Sequence, residues 1–184
     1  MLKYTMEFYR RRRKVMLHKY LKCGQIMRAH GINGAMVINH FCDSEEVFEA
    51  LRFVYLKEGE SYRKIKVLKS VPYKSGILVT LEGIKTPEEV VKMRMEFLYA
   101  DRDDIATDEN DFFIVDLIGL EVKDLNTGEV YGTLKDVINQ GAQDIYVIAR
   151  DGKADAYVPA IKEFVAEISL EKGILITPIE GLIE

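Results

Sequence analysis

The chain has 184 residues, a net charge of −4, 48% apolar residues and no tryptophan. That length suits one ordinary domain or two small ones of about 80 residues each, and the apolar share excludes wholesale disorder. No apolar run approaches the ~18 residues that span a bilayer, the N-terminus lacks the apolar centre of a signal peptide, and Cys23, Cys42 and three scattered histidines offer no zinc spacing. These features read as a cytoplasmic chain with reduced thiols, no cofactor and no membrane contact.

The charge is unevenly spread. Residues 1–22 carry eight Lys/Arg and one acid, net +7; residues 23–105 carry twelve against thirteen, net −1; residues 106–184 carry six against sixteen, net −10. The second half is too acidic to be a general nucleic-acid surface, and a basic partner would complement it. Plain solubility would also account for the acidity.

Residues 1–20 contain the run Arg10 to Lys14 and read as a basic extension outside the fold, with Met16 an alternative start. Leu21 to Met27 reads as the first strand and Ala35 to Asn39 as the second. Gly31-Ile-Asn-Gly34 lies between them. A phosphate loop would open onto a helix, and here a strand follows, so these glycines suit a tight connection. Arg28 and His30 are read as projecting from that connection, as candidate contacts.

Asp43 and Glu46 have capping-box spacing, with Ser44 a competing cap for a short helix carrying Val47, Phe48 and Leu51. Arg52 to Lys57 and Ser61 to Val71 read as strands. In the second, Tyr62, Lys64, Lys66 and Leu68 share one face, and Arg63, Ile65, Val67 and Lys69 the other. That mixed pattern suggests an edge strand. Lys57, Arg63, Lys64, Lys66, Lys69 and Lys74 interleave with Tyr55, Tyr62 and Tyr73. Cations among aromatics suit phosphate neutralisation and stacking on unpaired RNA bases; lysines guarding a sheet edge are the alternative. Ile77 to Leu81 is a strand. Thr86-Pro-Glu-Glu89 starts a helix ending near Met93. Met95 to Tyr99 closes a small barrel of about six strands.

Residues 101–110 are polar and read as a linker between domains at 21–100 and 111–184. Asp111 to Val122 begins the second domain. It opens on Phe112-Phe113 and is expected to end as a strand alternating Ile118, Leu120 and Val122. If the segment is extended, its two rings point opposite ways, so at least one faces something other than its own core. Leu125 to Gly128 is a hairpin turn, Asn139 to Ala142 a loop, and Asp144 to Ala149 a doubly buried strand. Asp151-Gly152 is a second hairpin signal. Ala154 to Val158 is a strand, Pro159 to Glu163 one helical turn, and Val165 to Thr177 the last hairpin. The fold class is therefore all-β: two small β-barrels in tandem with a few short helices.

Gly24-x-Ile26-x-x-x-His30-Gly31-Ile32-x-Gly34 resembles the N-terminal signature of the RimM family of ribosome maturation factors. Asp116-Leu-Ile-Gly-Leu-Glu-Val122, Gly132-x-Leu-x-Asp-Val137, Gly141-Ala-Gln-Asp144 and Val158-Pro159 resemble its C-terminal PRC-barrel domain. The motifs run in order from Gly24 to the C-terminus. The resemblance implies a non-enzymatic assembly chaperone for the small ribosomal subunit head. It further implies binding of ribosomal protein S-nineteen and help with folding and processing of 16S rRNA, as a monomer. It assigns partner contact to Phe112, Phe113, Asp116 and Leu117. The family's aromatic pair is usually Tyr-Tyr, so Phe112-Phe113 keeps the apolar contact and lacks the phenol hydrogen bond. Ile114 and Val115 are aliphatic where the family is more polar. RNA contact falls to Arg28, His30, Lys64 and Lys66. A small-subunit precursor and its rRNA are the expected partners.

Two other function classes compete with this one. An enzyme would need converging nucleophile, carboxylate or metal groups, and Asp103-Asp104 lie in a polar connector. A PRC-type interaction module of another complex would leave the His30-Gly31 motif unused.

Overall fold

The computed structural model describes residues 17–74, 76–106, 111–139 and 143–177. The basic run at Arg10 to Lys14 lies outside the described residues, as do Gln140, Gly141 and Ala142. The chain divides into two compact units, with the break at residues 110 and 111.

The first unit is a closed barrel of six strands: β1 (Tyr20–His30), β2 (Ala35–His40), β3 (Phe53–Glu58), β4 (Ser61–Tyr73), β5 (Gly76–Leu81) and β6 (Phe97–Asp101). Their spatial order is β1-β2-β5-β4-β3-β6, and β6 pairs back onto β1. Alternation builds the interior: Met36 and Ile38 of β2, and Ile77, Val79 and Leu81 of β5, are all fully buried. Two short helices cover the barrel. In α1 (Glu45–Glu49), Phe48 is fully buried in the core. In α2 (Pro87–Lys92), Val90 does the same.

The start of α2 is as expected. The Thr86 hydroxyl accepts from the Glu89 amide at 3.3 Å, and the Glu89 carboxylate accepts from the Thr86 amide at 2.9 Å. At α1 the expected Asp43 box does not form. Ser44 is the N-cap, without a side-chain cap bond. The 31–34 connection is a tight turn between paired strands, His30 opposite Ala35. Gly34 has φ +70°, and a Cβ there would lie 2.5 Å from the Ile84 carbonyl oxygen. Arg28 and His30 are therefore residues of β1 rather than of a loop.

Strand β4 is not an edge. It pairs with β3 along Ser61–Lys66 and with β5 along Val67–Tyr73. Each half is laddered on one side only, so Lys64 and Lys69 also flank unpaired backbone. The polar stretch after β6 is also partly folded. Residues Arg102–Asp104 form a 3-10 turn, the Asp101 carboxylate accepts from the Asp103 amide, and Ile105 packs against the first core.

The second unit starts with a one-turn helix, α3 (Ile114–Leu117). Six strands follow: β7 (Glu121–Asp124), β8 (Val130–Asn139), β9 (Asp144–Ala149), β10 (Ala156–Pro159), β11 (Val165–Ser169) and β12 (Gly173–Ile176). The order is β10-β9-β8-β7-β12-β11, with β12 parallel to β7 and every other pair antiparallel. One core takes Val122, Leu134, Ile148, Val158 and Ile174, from five different strands. The sheet must coil around them, although its described ladders leave β10 and β11 as edges. The segment at 159–163 forms no helix. After β10 it makes a turn closed by the Val165 amide on the Ile161 carbonyl at 2.8 Å. The all-β class and the two six-stranded units follow the sequence reading.

Candidate functional site

The basic-aromatic face of the first unit is set by pairing across β3 and β4. Tyr55 stands opposite Lys64, Phe53 opposite Lys66, and Lys57 opposite Tyr62. Val54 and Leu56 point into the barrel, so Phe53, Tyr55 and Lys57 point outward. The Lys64 ammonium sits 3.9 Å from the Phe53 ring centre and 5.8 Å from that of Tyr55. Such contacts hold a cation in place while leaving it in water.

Tyr55 faces outward yet is only 5% exposed. Its cover is aromatic. Tyr20 lies 4.8 Å from Tyr55 and stacks on Tyr62 at 4.2 Å, and Tyr62 meets Tyr99 edge-on at 5.1 Å. Burial pushes the Tyr99 phenol above its ordinary pKa. These rings make an aromatic platform on the outside of the barrel, beside Lys64. Sequence reading picked out Tyr55 and Tyr62 but missed Tyr20 and Tyr99, which come from β1 and β6.

Arg28 and His30 belong to a different place. His30 lies 5.0 Å from Tyr73, with Arg28 at 5.9 Å and Lys74 at 5.5 Å from the same ring. Tyr73 is seven residues beyond Lys66 along β4, roughly 23 Å at 3.3 Å per residue. The four expected RNA residues thus form two clusters.

In the second unit the segment at 114–118 is helical, not extended. The Ile118 amide donates to the Ile114 carbonyl at 3.1 Å, and Gly119, at φ +89°, turns the chain toward β7. The expected alternation of Ile118, Leu120 and Val122 is therefore broken, and the strand starts at Glu121. The helical turn buries Asp116 and Leu117, 7% and 3% exposed, and presents Ile114, Val115 and Ile118 at 49%, 41% and 41%. Phe112 packs against the second core and Phe113 is half-buried. Of the four expected contact residues, Asp116 and Leu117 thus face inward. The exposed apolar surface belongs to their neighbours. A strict strand reading could not have found it, because it exists only at helical spacing.

The hairpin at Asp124 is held by one carboxylate. Asp124 accepts from the amides of Asn126 and Thr127 at 2.7 and 2.8 Å and from the Tyr131 hydroxyl at 2.5 Å. The Tyr131 hydrogen bond, followed by the amides, holds the Asp124 carboxyl below the usual carboxylate range. Burial and that same bond push the Tyr131 phenol up to about 12. A depressed carboxyl pKa contributes stability above the unfolded-state value of about 3.9, lost as pH falls through the folded-state value. Asp124→Asn is expected to lower the urea midpoint at pH 7 and to lower it by less at pH 3, measured by circular dichroism. A deficit equal at both pH values would show that the charge is not what stabilises the turn.

Cys23 and Cys42 are unpaired, and the Cys42 thiol approaches the Cys23 carbonyl at 3.7 Å. Burial pushes the Cys42 thiol up to about 11 and raises Cys23 further, so neither is poised as a nucleophile. No helix among the described residues is long and apolar enough to cross a membrane.

A closed six-stranded barrel followed by a second, six-stranded unit defines a two-domain all-β protein. The family model of the RimM N-terminal domain matches residues 21–105, and that of the RimM PRC barrel domain matches residues 114–182. The chain belongs to the RimM family of ribosome maturation factors. The ribosome maturation factor RimM of Ruminiclostridium cellulolyticum is 33% identical over 156 residues, covering 84% of this chain and 92% of that protein. Its counterpart in Clostridium perfringens strain 13 is 36% identical over 160 residues, covering 86% and 93%. Among solved structures, a 16S ribosomal RNA processing protein RimM of Pseudomonas aeruginosa aligns over 87% of this chain and 98% of its own. It has 18% identity and a TM-score of 0.44.

Proposed function

We propose that the chain is a non-enzymatic assembly chaperone that helps mature the head of the small ribosomal subunit. The second unit binds ribosomal protein S-nineteen through the exposed turn at Ile114, Val115 and Ile118, with Phe112 and Phe113 beside it. Asp116 and Leu117 support that turn from within. The first unit contacts 16S rRNA through Lys64 and Lys66, with Arg28 and His30 as a second, smaller contact, and so assists rRNA folding and processing. The protein works as a monomer in the cytoplasm.

One observation carries this reading: the two units carry opposite contact chemistry. An outward platform of cations and rings suits unpaired RNA. An exposed aliphatic turn on a unit of net −10 suits a basic protein. Co-sedimentation of the full chain with small-subunit precursors and with mature subunits tests it. Strong association with precursors and little with mature subunits is expected. Equal association with both, or none with precursors, would contradict an assembly role.

A further inference from the structure

Strand β4 carries a bulge that the alternation of its sequence conceals. Val67 pairs with Leu81, but Lys69, not Leu68, stands next to it, opposite Thr80. Leu68 is therefore the extra residue. In an unbroken strand Lys69 would follow Val67 on the face that points into the barrel. The bulge moves it to the outside, beside Leu68, which is 56% exposed.

This rearrangement builds a groove of about 510 Å3 between the end of α1 with the start of β3 and the bulged part of β4. That volume falls in the ~300–1,000 Å3 range of sites that hold one small-molecule-sized group. Arg52, Lys66 and Lys69 line it, with Phe53 and Leu68 as apolar wall and Glu49 as the one acid. None of the three cations forms an ion pair among the described residues. Ser70 lines the same groove, and its buried hydroxyl has no hydrogen-bond partner. Arg52 and Lys66 are drawn together by the backbone, because the Val67 amide donates to the Arg52 carbonyl at 2.9 Å. Three unneutralised cations around an open groove with an apolar wall suit an anion attached to a flat, partly apolar group.

We propose that this groove holds one unpaired nucleotide of RNA. Its phosphodiester lies on Arg52, Lys66 and Lys69, and its base lies against Leu68 and Phe53. The proposal rests on the reading of the first unit as the RNA-contacting half. It adds that a single-stranded nucleotide is gripped at the bulge, away from the tyrosine platform. A duplex would keep its bases stacked and offer backbone and minor-groove edges but no free base face.

Fluorescence anisotropy of the full chain with a labelled single-stranded RNA octamer, across a salt series, tests this. Arg52→Gln/Lys69→Gln is expected to weaken binding about tenfold at low salt. It should also flatten the plot of log K against log salt by about 0.7, the share of the one single-strand phosphate contact that the groove makes. Leu68→Ala is expected to weaken binding about threefold with the slope unchanged, and binding of a blunt RNA duplex should be little affected by it. All three side chains are exposed, so unchanged circular dichroism and Tm are expected in both variants. Wild-type affinity and slope in Arg52→Gln/Lys69→Gln would overturn the groove while leaving the rRNA-contacting role of Lys64 standing. Complete displacement of the octamer by low-millimolar inorganic phosphate would overturn it in favour of a free-anion site. Failure of the wild-type chain to bind either the octamer or rRNA would remove the broader reading as well.

Discussion

Ile114→Asp/Val115→Asp is expected to weaken binding of the S-nineteen protein by on the order of 100-fold or more, read by surface plasmon resonance with the full chain. The two side chains are 49% and 41% exposed and adjoin Ile118 at 41%, an apolar density that the fold itself does not use. Apolar anchors at the centre of an interface typically contribute about 2 kcal/mol or more each. A buried carboxylate in their place would add a desolvation cost. The fold should survive, because these are the first two residues of α3, where an acid is favoured by the helix dipole. Rates sharpen the prediction. A basic partner meeting two more acids should associate slightly faster, so the whole loss should appear in dissociation. Unchanged affinity would remove the α3 turn from the contact. A lower Tm would place these residues in the fold instead.

Lys64→Glu/Lys66→Glu is expected to weaken association with the immature small subunit on the order of 100-fold at low salt. The salt slope should be shallower by about 1.4 if each lysine meets one phosphate of an unpaired strand. Lys64 rests over Phe53 at 3.9 Å, so its ammonium is positioned before any RNA arrives. A glutamate there would face the negative side of the ring and repel the phosphate as well. Neither lysine is buried, and each stands opposite an aromatic across β3 and β4, so the barrel should remain intact. Association unchanged within twofold would remove this face from rRNA contact.

Much of the fold was legible because local chemistry and global fold agree. Thr86, Pro87 and Glu89 announce α2, and the box forms as written. The Leu125 to Gly128 turn was legible from its Asn-Thr-Gly residues, and the structure adds the Asp124 carboxylate, which accepts from two amides of that turn. The chain's barrels were legible through the regular recurrence of short strands between turn residues, supported by the family motifs.

The functional surfaces were less legible, and the reasons are specific. Alternation puts Lys69 with Ile65 and Val67; only the bulge at Leu68 sends it outward. A bulge is forced by pairing with β5, a strand distant in sequence. Ile118, Leu120 and Val122 look like one face of a strand, but a single helical turn and Gly119 intervene. The outer tyrosine platform needs four strands of a closed barrel to bring its rings together, so no window of sequence contains it. Asp116 and Leu117, expected as contacts, are buried on the inner side of the turn that exposes Ile114 and Val115, a placement set by the helical turn rather than by any local motif.

The account stands on a division of labour between the two units. The most direct measurement is a crossed one: wild-type chain, Ile114→Asp/Val115→Asp and Lys64→Glu/Lys66→Glu, each titrated against purified S-nineteen protein and, separately, against protein-free 16S rRNA. The account predicts that the first variant loses the protein and keeps the RNA, while the second keeps the protein and loses the RNA. Loss of both ligands by either variant, with its fold intact, would contradict it.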